Sequence, residues 1–146
     1  MNYITVKATA ERYEDVMEYI FSKIKLEDDL YPSPEKVIKD IRLACEEAFI
    51  NIINYAYPDG DGNVDIACEV DKGIIQIVLK DSGIPFNPMD SDDPDISLAI
   101  ECREVGGLGI YIVKKIMDDV NYTREGKYNI LTLRKRIGLY HEHMYS

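Results

Sequence analysis

The stretch from Asp40 to Tyr57, DIRLACEEAFINIINYAY, constrains this chain more than any other. Val37, Ile41, Ala44, Ala48, Ile52 and Tyr55 recur at steps of three and four, which predicts a long helix with one apolar stripe turned to a core. Glu47, Asn51 and Asn54 keep the same period one column over, at the edge of that stripe. A carboxylate and two carboxamides beside a buried face cost desolvation free energy unless a metal ion, a water or a ligand phosphate binds them. They can equally face solvent or cap neighbouring backbone, and the helix alone leaves these alternatives open.

With 146 residues, 46% of them apolar, and neither an internal repeat nor a linker, the chain is expected to form one domain, 1–146, around a real core. A formal net charge of -10 with no basic stripe argues against direct nucleic-acid binding. It does not argue against a nucleotide, whose charge Mg²⁺ and backbone N–H groups can carry. Cys45, Cys68 and Cys102 are widely spaced, with no C-x-x-C pair, and fit reduced thiols. No apolar run approaches the roughly eighteen residues of a membrane span, and the opening MNYITVKATAERYEDV has no apolar leader. The expectation is a cytoplasmic protein without a membrane contact.

In chain order, Tyr3 to Ala8 reads as a strand, and Thr9 as the N-cap of a helix running to about Lys25. Ser33-Pro34-Glu35 opens the long helix, which ends before Pro58. Asn63 to Val70 and Gly73 to Lys80 form a hairpin turned at Asp71-Lys72-Gly73. Asp81 to Pro88 breaks the second strand, and a long Asp- and Pro-rich connection follows, with a short amphipathic helix over Ile96 to Val105. Gly106-Gly107-Leu108-Gly109 leads into a helix over Ile110 to Met117. Val120 to Arg124 and Asn129 to Arg136 close the chain as a second hairpin, turned at Glu125-Gly126-Lys127.

Two of these segments have chemistry of their own. Gly106, Gly107 and Gly109 ahead of a helix permit close backbone approach, and a helix start offers N–H groups and partial positive charge to an anion. A lid hinge would need the same glycines. The segment is not a P-loop, since no G-x-x-x-x-G-K-[ST] is present. Asp81, at the end of a buried strand, can accept a hydrogen bond from an exocyclic amine such as adenine's, and Gly83 would let a flat base approach. An ordinary Asp-Ser-Gly turn is the other reading.

Taken together and in this order, the three segments resemble the N, G1 and G2 boxes of the Bergerat-type ATPases. Glu47-Ala-Phe-Ile-Asn51 with Ala56-Tyr57, Asp81-Ser-Gly-Ile-Pro-Phe-Asn-Pro88, and Gly106-Gly-Leu-Gly-Ile-Tyr-Ile-Val-Lys-Lys-Ile-Met-Asp118 are similar to the anti-sigma-factor serine kinases of bacteria, over roughly the whole chain. The resemblance implies an α/β (α+β) two-layer sandwich: a mixed, mostly antiparallel sheet with helices on one face, and nucleotide between the helix layer and an ATP lid at about 84–106. It implies Asn51 as the Mg²⁺ ligand, Glu47 as general base, and Asn54 as a support near the metal or phosphates. Asp81 and Gly83 would meet adenine, Gly107 and Gly109 would turn their N–H groups to the phosphates with Leu108 between them in the nucleotide site, and Gly106, also at the nucleotide, would hinge the lid. Arg103 would reach the γ-phosphate from the lid. Relatives place a Thr on the last strands near the base; Asn129 and Thr132 lie in that region, and Thr132 is carried as the candidate.

The activity so implied is transfer of the γ-phosphoryl group of ATP to a Ser of an anti-sigma-factor antagonist protein. The chain would also bind a sigma factor, with nucleotide state switching partners, and would form a homodimer. A nucleotide-dependent binding module with little turnover is the second expectation, against which Glu47 weighs. A sensor-histidine-kinase ATPase portion ranks lower, because no phospho-acceptor His helix accompanies it.

Overall fold

A computed structural model of the chain describes residues 2–25, 29–90 and 107–138. It runs β1 (Tyr3–Lys7), a 3-10 turn (Ala10–Arg12), α1 (Tyr13–Ile24), α2 (Pro34–Tyr55), β2 (Asn63–Asp71), β3 (Ile74–Asp81), a 3-10 turn (Pro88–Asp90), α3 (Gly107–Ile116), β4 (Asp119–Glu125) and β5 (Tyr128–Arg136). The expected helix over Ile96 to Val105 and residues 91–106 of the expected lid lie outside the described residues.

The start of α2 follows its sequence signals. Ser33 Oγ accepts the Lys36 N–H at 3.2 Å and Pro34 takes the first helical position, where a missing N–H costs nothing. The stripe predicted for it is buried from Val37 to Ile52, whereas Tyr55 is half-buried and stacks on Phe86. Thr9 does not cap α1 with its side chain. Its carbonyl instead accepts the Arg12 N–H at 3.0 Å, which closes a 3-10 turn before the helix begins.

The five strands lie in the order β1-β2-β3-β5-β4, and every neighbouring pair is antiparallel. The sheet is therefore not mixed among the described strands. β3 and β4 do run in the same direction, being joined through α3, but β5 returns between them and bonds to both, so the parallel pair never forms. Lys72 and Gly73, with φ of 52° and 79°, make the two-residue turn whose twist suits a β2–β3 hairpin.

Alternation along the strands decides which side meets the helices. Val64, Ile66 and Cys68 of β2, Ile75, Ile77 and Leu79 of β3, and Leu131 and Leu133 of β5 share one core with Met17 and Ile20 of α1, the α2 stripe, and Ile110 and Val113 of α3. All three helices thus cover one face. The other face mixes polar side chains with the buried Ala67 and Val78, and there Lys80 Nζ lies 4.2 Å from the centre of the Tyr128 ring and 5.7 Å from that of Tyr3. Cys45 and Cys68 are buried free thiols, and burial raises both pKa values, that of Cys68 to about 12, so neither is a nucleophile at neutral pH. Among the described residues no helix is long and apolar enough to cross a membrane.

Candidate functional site

One end of the sheet gathers the side chains singled out from sequence. Asp81 is the last residue of β3 and pairs across the ladder with Asn129 of β5. The same alternation that buries Leu79 and Leu131 turns both polar side chains toward the helices, where they are 5% and 4% exposed. Asp81 Oδ1 accepts the Gly83 N–H and the Asn129 Nδ2–H, each at 2.9 Å. Oδ2 accepts no hydrogen bond among the described residues. Burial raises the Asp81 pKa above the ordinary carboxylate value of 3.8, while the Asn129 and Gly83 hydrogen bonds and the Arg124 charge pull the other way.

Asn129 is the hub that sequence reasoning left unresolved. Its Nδ2 also donates to Ile84 O at 2.8 Å, and its Oδ1 accepts from Tyr122 Oη, from Arg124 Nη1 at 3.1 Å and from Phe86 N at 3.3 Å. These partners fix which end of the carboxamide faces Asp81. Thr132 does not reach this site. It sits three residues further along β5, opposite Val78, and an odd offset in a strand places a side chain on the opposite face of the sheet.

From α2, Asn51 enters the same region. It is 6% exposed and its carboxamide makes no hydrogen bond among the described residues. Asn51, Asp81, Asn129 and Tyr122 line one cavity of about 20 Å³ together with Phe86 and Pro88, room for roughly a single water. Phe86 is held there by a stack on Tyr55 with ring centres 5.0 Å apart.

Glu47 lies one turn before Asn51 and faces the start of α3. A Cβ added at Gly109 would stand 2.7 Å from Glu47 Oε2, so the glycine is what lets the helix start come down on the carboxylate. Gly107, Leu108 and Gly109 form the first turn of α3, where N–H groups lack intrahelical acceptors and the helix dipole favours a negative group. Asn54 is exposed and lines neither this cavity nor the groove beside it. Arg103 and Gly106 lie outside the described residues.

Gly83 also has a protein neighbour that its sequence did not suggest. A Cβ there would meet the Ala56 carbonyl oxygen at 2.2 Å, and the next residue, Ile84, donates its N–H to that oxygen at 2.9 Å. The glycine makes room for the end of α2, which ties the loop after β3 to the helix that carries Glu47 and Asn51.

A helix bearing acid and amide, a buried Asp at a strand end and a glycine-opened helix, brought together over an antiparallel sheet, carry the signature of one class. Residues 12–135 match the histidine kinase-like ATPase domain, and the chain belongs to that family. Among known proteins it is similar to the serine-protein kinases RsbW of Bacillus cereus (strain AH820), Bacillus anthracis (strain A0248) and Bacillus thuringiensis (strain Al Hakam). It is 30% identical to each over 98 residues, 64% of this chain and 61% of the relative. The match thus spans about three fifths of the length of these relatives.

The family binds ATP, and the donor set here fits it. Asp81 Oδ2 is an acceptor without a partner among the described residues, and Asn51 offers a hard oxygen suited to Mg²⁺. Among the described residues the cavity is too small for a purine, so nucleotide entry requires its lining to move apart.

Proposed function

We propose that this protein is an ATP-dependent serine-protein kinase that phosphorylates an anti-sigma-factor antagonist, binds a sigma factor, and exchanges the two partners with nucleotide state as a homodimer. The observation that carries the reading is Glu47. Its carboxylate lies against the first turn of α3, on the same helical face as the unbonded Asn51 carboxamide. ATP with Mg²⁺ supplies the γ-phosphoryl group and the charge neutralisation that its transfer needs. Asn51 holds the cation, Asp81 Oδ2 accepts the adenine amine, and the α3 start with Gly106, Gly107, Leu108 and Gly109 faces the phosphates. Arg103 adds positive charge from the lid. Glu47 orients the acceptor serine and takes its proton, so catalysis is positioning and charge stabilisation.

Incubation with Mg-ATP and the antagonist encoded beside the gene tests this directly. Phosphoserine on that partner, found by mass spectrometry, is the expected result. Its absence while nucleotide is demonstrably bound would sink the kinase reading. A nucleotide-dependent binding module with little turnover is then the reading to take up.

Gly109→Ala offers a sharper test of geometry. The new methyl would press on the far end of a flexible side chain, not on backbone, so the fold is expected to survive with a melting temperature close to the parent's. The displaced Glu47 carboxylate should lower phosphoryl transfer by about 10²-fold, the scale of an ångström of misplacement. Parent-like transfer in this variant would detach Glu47 from the reaction.

A further inference from the structure

Arg124 stands on the edge strand β4, paired with Asn129, and has no part in the mechanism above. Its guanidinium makes three contacts: Nη1 donates to Gly83 O at 2.9 Å and to Asn129 Oδ1 at 3.1 Å, and Nε donates to Gly126 O at 3.2 Å. An arginine this exposed would normally be left to solvent. Here it ties the β4–β5 turn to the loop after β3, across a sequence distance of 41 residues to Gly83.

The choice of partners is informative. Asp81 Oδ1 receives two hydrogen bonds, from Gly83 N and Asn129 Nδ2. Arg124 grips those same two residues from behind, Gly83 by its carbonyl and Asn129 by its Oδ1. With its oxygen pinned by a cation, the Asn129 carboxamide must turn its NH₂ toward Asp81. With its carbonyl held by Arg124 and the following N–H, that of Ile84, held by the Ala56 carbonyl, Gly83 is fixed on its C-terminal side while its own N–H, in the preceding peptide unit, stays on the same carboxylate oxygen. Together with the Tyr122 and Phe86 donors that also hold Asn129 Oδ1, these restraints favour one setting of the Asp81 carboxylate plane, with Oδ2 unbonded among the described residues. A rigid fork suits such a clamp, because guanidinium geometry is fixed before the bonds form.

We propose that Arg124 is a positioning residue for base selection, clamping Gly83 and Asn129 so that Asp81 keeps a single oxygen aimed at the exocyclic amine of adenine. This rests on the reading of Asp81 as the acceptor for that amine. The charge of Arg124 also favours the ionised form of Asp81, which preserves its acceptor character in a buried setting. A residue that merely propped the fold would, when removed, weaken every nucleotide alike. A residue that aims Asp81 changes the ratio between nucleotides with and without the amine.

The test measures Mg-ATP and Mg-ITP affinity of the full chain by calorimetry for the parent, Arg124→Met and Arg124→Lys, with thermal unfolding alongside. The parent is expected to prefer ATP. Arg124→Met should cut that preference roughly tenfold, the scale of one charge-assisted hydrogen bond network lost. Arg124→Lys keeps the charge without the fork and should fall between the two. If Arg124→Met fails to fold, Arg124→Lys decides, because an unchanged ratio there overturns the proposal. A parent-like ratio in both variants, or equal weakening for ATP and ITP, also overturns it while leaving the reading of Asp81 intact. A parent that binds neither nucleotide, or both alike, removes that reading and this inference with it.

Discussion

Glu47→Gln is expected to slow phosphoryl transfer by about 10²–10⁴-fold, the usual contribution of a positioned general base, while Mg-ATP affinity stays close to the parent's. The carboxamide has nearly the volume of the carboxylate, so the close approach of Gly109 to Oε2 can be kept and α3 need not move. What is lost is the capacity to take a proton and the negative charge at the start of α3. The second loss costs stability of roughly 0.3–1 kcal/mol, the range for a charge at a helix terminus. Single-turnover transfer to the antagonist, with calorimetry for nucleotide, separates the two effects. A variant that transfers as fast as the parent would leave Glu47 a structural acid at a helix start, and the chemistry would then rest on positioning alone.

The parts of this molecule that were legible in sequence are those fixed by local signals. Ser33 and Pro34 set the start of α2, and its stripe sets its buried face, because capping and period are properties of a few consecutive residues. Asp81 stood out because β3 stops there. Asn129 did not, since its partners Asp81, Ile84 and Phe86 are 43 to 48 residues away and only the ladder brings them together. The parity of β5 was available as a signal: Asn129 shares its phase with Leu131 and Leu133, and Thr132 does not. The sheet order was out of reach for a related reason. The insertion of β5 between β3 and β4, which makes every pairing antiparallel, depends on where a distant hairpin docks. The contact of Gly83 with the Ala56 carbonyl was out of reach because that group lies at the end of another element. The place of Phe86 in the cavity lining, stacked on Tyr55, is likewise a packing choice of a loop, with no periodicity to announce it.

Asp81→Asn is expected to improve stability at neutral pH and to damage function. Burial is the largest influence on the Asp81 carboxyl and raises its pKa above 3.8, against the pull of Asn129, Gly83 and Arg124. A group whose pKa is higher folded than unfolded gives stability that is complete below the unfolded value and is lost as pH rises through the folded value. At pH 7 the carboxylate is therefore held ionised at a cost. Asparagine removes that cost, and its Oδ1 can still accept the Gly83 and Asn129 N–H groups that now converge on Asp81. The variant should melt above the parent at pH 7, each kcal/mol of relief being worth about 2–4 °C in a chain of this size. The advantage should shrink as pH falls toward 4 and the parent carboxyl takes up its proton. In place of Oδ2 the amide presents a donor, which cannot accept the adenine amine, so preference for ATP over GTP should fall. Stability traded for a charged acceptor in a buried cleft is what a recognition site requires. An Asp81→Asn protein that melts lower at pH 7, and still selects ATP as the parent does, would make this carboxylate a strut of the β3–β5 ladder instead.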